Sequence, residues 1–145
     1  MLRNAVACCA VVFALTLSAL AKTPAAGEKE TGLAAVYSDK LTGHRTASGQ
    51  VYDPAKLTAA HKTLPFGSKI KVTNTKNNKS VVLRINDRGP VQQGRVLDIS
   101  PAAASKLGIH HNSTSEVTVE VVSLGDGKTT KQSAVEPAAE KKAVQ

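Results

Sequence analysis

The densest group of reactive side chains in this chain is Asn86-Asp87-Arg88-Gly89-Pro90, which follows an apolar run. A second aspartate, Asp98, ends the short apolar run Val96-Leu97. If the two runs form neighbouring strands, both carboxyl groups open into one cleft, where they could donate and accept protons. Two structural interpretations compete with this one. Asp87 could be a turn residue paired with Arg88, and Asp98 could favour the dipole of a following helix.

Two further polar segments could join that cleft. One is the segment from Thr46 to Asp53, and the other contains His61, whose ring could exchange protons near neutral pH. Each has a plain alternative: His61 as a hydrogen-bonding loop residue, and Asp53, which precedes a proline, as a turn residue. The adjacent pair His110-His111 has no third ligand close by, so we expect no metal site.

The elements that would position these side chains are mostly strands. Apolar and polar residues alternate over Lys69–Thr73 and over Glu116–Val122, and Ser80–Asn86 is a third, apolar-rich strand. The polar turn Thr75–Lys79 joins two of them. One helix is predicted over Ser100–Gly108, with serine as N-cap, proline at the first position and glycine as the left-handed stop. Short strands, glycine-rich turns and one helix predict a mainly β protein, a small closed barrel.

The first residues have the pattern of an export signal. Arg3 precedes an apolar run, and Ala19-Leu20-Ala21 offers a cleavage site, so residues 1–21 are predicted to be a signal peptide. A retained anchor is the alternative, but the run is short for a membrane span. Cys8 and Cys9 would leave with the peptide, so no disulfide, thiol nucleophile or thiolate metal site is expected.

Composition divides the remainder of the chain into three parts. Residues 22–31 and 125–145 are rich in Lys, Glu, Ala, Thr and Gly, and are predicted to be a disordered linker and a disordered tail. Residues 32–124 form a single domain with one modest core.

Charge restricts the partners. Removing Arg3 with the signal peptide lowers the net charge from +8 to +7, which favours anionic partners. Export excludes nucleic acid and leaves envelope polyanions: peptidoglycan carboxylates, teichoic acids and lipid headgroups. We expect an exported monomer of the periplasm or cell envelope, or a secreted one, with membrane contact only through the signal peptide.

Four motifs in order carry a family resemblance. They are Leu57-Thr58-Ala59-Ala60-His61-Lys62-Thr63-Leu64-Pro65-Phe66-Gly67, Val72-Thr73-Asn74, Arg84-Ile85-Asn86-Asp87-Arg88-Gly89-Pro90 and Gly94-Arg95-Val96-Leu97-Asp98-Ile99-Ser100. Over about residues 32–124 the chain resembles the RlpA (rare lipoprotein A) family. The resemblance implies a six-stranded double-psi β-barrel without a metal or organic cofactor.

The resemblance also implies an activity. Lytic transglycosylases of this family cut the MurNAc–GlcNAc bond of peptidoglycan, preferably in strands stripped of stem peptides, and leave 1,6-anhydro-MurNAc ends. Family motifs then make Asp87 and Asp98 joint catalytic candidates, with His61 as their helper. The substrate-binding candidates are Gln50, Asp53, Thr46, Tyr37, Arg88 and Arg95.

Three positions depart from the family pattern. Gln50 stands where the family usually has Glu, and an amide can neither donate a catalytic proton nor carry a stabilising negative charge. Val36-Tyr37-Ser38 and Leu41-Thr42 replace an aromatic-rich pattern, which removes stacking surface for sugar rings. The sequence therefore leaves a second hypothesis open: a non-catalytic, expansin-like module that binds peptidoglycan or loosens the wall. A third, weaker hypothesis is a secreted effector that uses the barrel only as a scaffold.

Overall fold

The computed structural model describes residues 24–129. The predicted signal peptide, the first two residues of the predicted linker and the predicted tail beyond residue 129 lie outside the described residues. No helix between residues 24 and 129 is long and apolar enough to cross a membrane.

Six strands close into one barrel. They are β1 (Lys29–Val36), β2 (Thr58–Ala60), β3 (Lys69–Asn74), β4 (Ser80–Asp87), β5 (Arg95–Ile99) and β6 (Thr114–Ser123). Their order around the barrel is β1-β5-β2-β4-β3-β6. The pairs β1–β5 and β2–β4 are parallel and the other four are antiparallel. The closed order leaves no free sheet edge within the barrel.

Alternation along the strands fills the barrel interior. In β3 the buried positions Ile70 and Val72 alternate with exposed lysines. In β6 the buried residues Val117, Val119 and Val121 alternate with polar residues that are more exposed. The predicted barrel, its three patterned strands and its turn at residues 75–79 are thus confirmed. In β4 the alternation holds only as far as Ile85, because Asn86 is also buried.

The predicted helix is present as α1, Pro101–Leu107. Its first turn is capped by the Ser100 hydroxyl, which accepts from the Ala103 amide at 3.3 Å, and Gly108 ends it with φ +67°. The Leu107 carbonyl, left free at the C-terminus, accepts from the side-chain amide of Asn74. A single-turn 3-10 helix, Asp39–Leu41, follows β1.

The ordered domain extends beyond both predicted boundaries. At its start, β1 begins at Lys29, inside the predicted linker, because residues 29–31 pair with β6 although their side chains are exposed. At its end, the Gly125 amide donates to the Ser68 hydroxyl at 3.0 Å, and the Gly127 amide donates to the Phe66 carbonyl at 3.1 Å. Both differences arise from backbone pairing, which leaves no apolar pattern in the sequence.

Gly125 has no room for a side chain. A Cβ there would lie 2.0 Å from the Phe66 carbonyl oxygen and 2.5 Å from the Ser68 nitrogen. We expect Gly125→Ala to lower the free energy of unfolding by about 2 kcal/mol, since rigid backbone must move. The exposed neighbour substitution Lys128→Ala serves as control and should cost less than about 0.5 kcal/mol. Urea denaturation measures both, and equal values for the two variants would contradict the contact.

Candidate active site

One residue of β2 brings the two predicted aspartates to the same part of the barrel. Ala60 is in register with Asp87 of β4 on one side and with Asp98 of β5 on the other. Strands β4 and β5 are not direct neighbours, because β2 lies between them, and both pair with it. Two strand spacings separate the two aspartate backbones by about 10 Å. Both side chains are half-buried.

Asp87 is held by three hydrogen-bond donors. Its Oδ2 accepts from the Tyr37 hydroxyl at 2.7 Å, and its Oδ1 accepts from the backbone amides of Ala47 and Arg88, both at 2.8 Å. The donors come from the residue after β1, from the loop between β1 and β2, and from the residue after β4. An ionised carboxylate, which only accepts, satisfies all three. Asp87 is therefore held in a fixed position by three donors.

Asp98 has a different environment. Its Oδ1 accepts from the Arg95 guanidinium, whereas Oδ2 forms no hydrogen bond with any residue from 24 to 129. Oδ2 lies beside Gly89, where a Cβ would be 3.7 Å away and where φ is +130°. Burial raises the pKa of Asp98 above its ordinary value, the ion pair with Arg95 opposes this, and the charge of Asp87 adds to the rise. Asp98 is thus a carboxyl group suited to holding a proton on Oδ2.

Two tyrosines support this arrangement from inside. The rings of Tyr37 and Tyr52 are tilted by 49° with centroids 5.0 Å apart. Burial, followed by the bond to Asp87, raises the pKa of the Tyr37 hydroxyl, and burial raises the pKa of Tyr52 to about 12. Tyr37 accordingly remains a protonated donor, and it contacts the carboxylate directly.

The ring of His61 points away from both aspartates. Its Nδ1 accepts from the backbone amides of Thr63 and Leu64, each at 3.1 Å, and its Nε2 lies 3.2 Å from Glu30 Oε2. His61 and Glu30 line a separate cleft of about 330 Å³. Only the backbone of His61 meets the site, through its amide, which donates to the Asp87 carbonyl at 3.3 Å. The structure thus does not bring the His61 ring to Asp87 or Asp98.

Arg88 also faces away from the aspartates. Its Nη1 donates to the carbonyls of Leu64 at 2.7 Å and His61 at 3.3 Å, and its guanidinium lies 4.0 Å from the centre of the Phe66 ring. Among residues 24–129, Arg88 forms no ion pair with Asp87. Arg88 instead fastens the 61–66 loop to the end of β4.

Two of the remaining predicted binding residues, Gln50 and Asp53, line clefts that meet at Gln50. One cleft, of about 360 Å³, is bounded by Gln50, Ser48 and the 124–129 segment; the other, of about 510 Å³, includes Asp53. Gln50 Oε1 accepts from Asn86 at 3.3 Å. Asp53 Oδ1 accepts from the backbone two residues on at 2.9 Å, which is the turn arrangement that its sequence context suggested.

The loop from residue 44 to residue 52 joins the clefts to the aspartates. Thr46 forms a hydrogen bond with Ser48 at 2.9 Å, and the Ser48 amide donates to the Asn86 carbonyl at 3.3 Å. The Ala47 amide, between them, donates to Asp87. Sequence reasoning missed the roles of Ala47 and Asn86, because a backbone amide and a bulge at the end of β4 have no side-chain signature.

Fold and site together define a class: a double-psi β-barrel domain with a pair of unlike carboxyl groups on either side of one strand. The family model described as lytic transglycolase matches residues 29–119. The chain therefore belongs to this lytic transglycolase family.

Curated relatives agree with the family. The chain is 50% identical over 98 residues to the endolytic peptidoglycan transglycosylase RlpA of Vibrio cholerae, with 68% of this chain and 37% of that protein covered. It is 48% identical over 96 residues to the protein of the same name from Neisseria meningitidis serogroup B, with 66% and 40% covered. The chain thus matches less than half of the length of either relative.

Solved structures show the same fold at low identity. The Streptomyces papain inhibitor superposes with a TM-score of 0.54 at 23% identity, covering 67% of this chain and 96% of that one. An expansin of Clavibacter michiganensis gives a TM-score of 0.53 at 19% identity, covering 66% and 50%. These likenesses concern the fold alone.

Proposed function

We propose that this chain is an endolytic lytic transglycosylase that cleaves the MurNAc–GlcNAc bond of peptidoglycan glycan strands. The observation that carries the proposal is the contrast between Asp98, whose pKa is raised by burial, and Asp87, which is held by three donors. Two carboxyl groups in such different surroundings can divide acid–base work from charge stabilisation. The relatives' name supports the same reaction.

The reaction needs one proton carrier. Protonated Asp98 donates its proton to the glycosidic oxygen as the C1–O bond breaks, and positive charge develops at C1 of MurNAc. The 6-hydroxyl of the same sugar attacks C1, and Asp98 accepts the hydroxyl proton. The products are a 1,6-anhydro-MurNAc end and a GlcNAc end with a free 4-hydroxyl. No water is consumed, and Asp98 returns to its protonated form.

Asp87 would act by its charge. A fixed carboxylate near an oxocarbenium-like centre stabilises the transition state more than the neutral substrate. Its three donors hold it in place, so little reorganisation is needed during the reaction. His61 would position the end of β4 through its backbone and take no proton.

Substrate and location follow from this reaction. Peptidoglycan is the glycan of the bacterial envelope, so we place the protein there, in cell wall organisation or septation, consistent with the predicted signal peptide. The basic net charge would favour approach to the anionic wall.

Product analysis tests the proposal. The chain is incubated with denuded glycan strands, and mass spectrometry measures 1,6-anhydro-muramyl ends. Their appearance, with shorter strands, is expected. Binding to sacculi without any such product after prolonged digestion would exclude the enzyme.

The second candidate, a non-catalytic glycan-binding module, rests on Gln50. The Gln50 side chain accepts from Asn86, lines both clefts and forms no hydrogen bond with Asp87 among residues 24–129. A mutant expansin of Clavibacter michiganensis, of which this chain covers 50%, has been solved in complex with cellohexaose. The same product analysis separates this candidate from the enzyme.

Arg95 should set the upper pH limit of the activity. Its ion pair lowers the pKa of Asp98, so Arg95→Gln should raise that pKa. Because the protonated form of Asp98 is the active one, the rate falls as pH rises through this pKa, and the variant should stay active to higher pH. The pH dependence of kcat/KM measures the shift. Lys106→Gln, on the exposed face of α1, serves as control. If the fall of kcat/KM at high pH occurred at the same pH in Arg95→Gln as in the parent chain, the role of Arg95 would be refuted.

A further inference from the structure

Arg84 stands at the junction of the two clefts without a counter-ion. It is an exposed residue of β4 and lines both the 360 Å³ cleft and the 510 Å³ cleft. Between residues 24 and 129, no carboxylate lies within 4 Å of its guanidinium and no group accepts a hydrogen bond from it. Its Nη2 lies beside Gly67, where a Cβ would be 3.9 Å away.

The two clefts hold two carboxylates, and each already has a partner. Asp126 pairs with Lys128 at 3.7 Å at the edge of the first cleft, and Asp53 Oδ1 accepts from the Ala55 amide at 2.9 Å. In the second cleft, Arg45 donates to the Gly49 carbonyl at 2.7 Å, and Lys56 adds a further positive charge. Arg84 is therefore the guanidinium left to meet an anion, in a concave setting that concentrates positive potential.

A guanidinium binds a carboxylate through two parallel hydrogen bonds, with a geometry that a neutral amide cannot match. In peptidoglycan, the lactyl group of MurNAc ends in a free carboxylate only where the stem peptide has been removed. Where a peptide is attached, the same group is a neutral amide. One arginine can thus distinguish the two forms of the sugar.

We propose that Arg84 is a specificity-determining residue that binds the lactyl carboxylate of peptide-free MurNAc. The assignment rests on the proposed function, since it names the chemical group of the glycan that the cleft would recognise. Arg84 precedes Asp87 by three residues, about 10 Å along β4, so one glycan strand can contact both. Gln50 lines the same two clefts and carries no charge that would compete with the ligand for the guanidinium.

Binding to a matched pair of ligands tests the assignment. The ligands are a GlcNAc–MurNAc oligosaccharide with free lactyl carboxylates and the same oligosaccharide converted to lactyl methylamides. The chain carries Asp98→Asn so that neither ligand is cleaved, and calorimetry measures both Kd values. The acid should bind about tenfold more tightly than the amide. In the Arg84→Gln variant the two Kd values should become equal within about twofold, through weaker binding of the acid alone.

Two further variants sharpen the test. Lys76→Gln removes the same charge from the turn at the far end of β4 and should keep the preference for the acid. Gln50→Glu leaves Arg84 in place but should reduce that preference, because the new carboxylate competes with the ligand. A preference that persists in Arg84→Gln, or equal binding by the parent chain, overturns the assignment while glycan binding survives. Failure to bind either ligand would contradict the proposed function itself.

Discussion

Asp98→Asn should reduce the formation of 1,6-anhydro-muramyl ends about a thousandfold, which is the contribution expected of a general acid and base. The asparagine oxygen can still accept from Arg95, so the side chain keeps its place. What it loses is the proton on the second oxygen. Mass spectrometry of digested glycan strands measures the products over a fixed time course.

Thermal stability separates lost chemistry from lost folding. Burial raises the pKa of Asp98 above its unfolded value, so its stabilising contribution is complete at low pH and is lost as pH rises through the folded-state pKa. At neutral pH the uncharged variant should therefore have a Tm no lower than that of the parent chain.

Asp39→Asn is the matched control for this substitution. Asp39 is an exposed carboxylate 3.6 Å from His111, and its loss should leave the rate within about twofold. If Asp98→Asn retained more than about a tenth of the activity with an unchanged Tm, the acid would have to be another group.

Local sequence patterns predicted the elements that depend on local physics. The helix after Ser100 has a capping hydroxyl, an early proline and a left-handed glycine, and each of these acts within a few residues. Strands β3 and β6 each have one buried face and one face toward solvent, so apolar and polar residues alternate in their sequences. The double-psi barrel itself came from the family resemblance, since no local pattern specifies the order of the strands.

The convergence of the site depends on pairings that local patterns do not carry. Strand β2 has three residues, all buried, so it shows no alternation, yet its Ala60 is the residue that brings Asp87 and Asp98 together. A register shift between β2 and β4 occurs at this point. The direction of the His61 ring is likewise set by Glu30, which lies 31 residues earlier in the chain. Such contacts are fixed by the closed barrel as a whole.

Asp87→Asn should lower the rate of anhydro-product formation about a hundredfold, because it removes the negative charge next to the developing positive one. The change should leave the local structure in place. An asparagine oxygen can accept from the amides of Ala47 and Arg88, and the Tyr37 hydroxyl can rotate to accept from the new side-chain NH₂. Tyr37→Phe is the companion variant, since it removes one donor but keeps the charge, and it should cost less than about tenfold.

The pH profile distinguishes a charge effect from a positioning effect. The charge of Asp87 raises the pKa of Asp98, so Asp87→Asn should lower that pKa and move the basic limb of kcat/KM to lower pH. Tyr37→Phe retains the charge and should leave the limb in place. If both variants slowed the reaction equally, and kcat/KM fell at the same basic pH in both, Asp87 would act only by holding the loop at Ala47. A limb that moves in Asp87→Asn alone means that the two carboxyl groups sense each other across β2, as a shared catalytic centre requires.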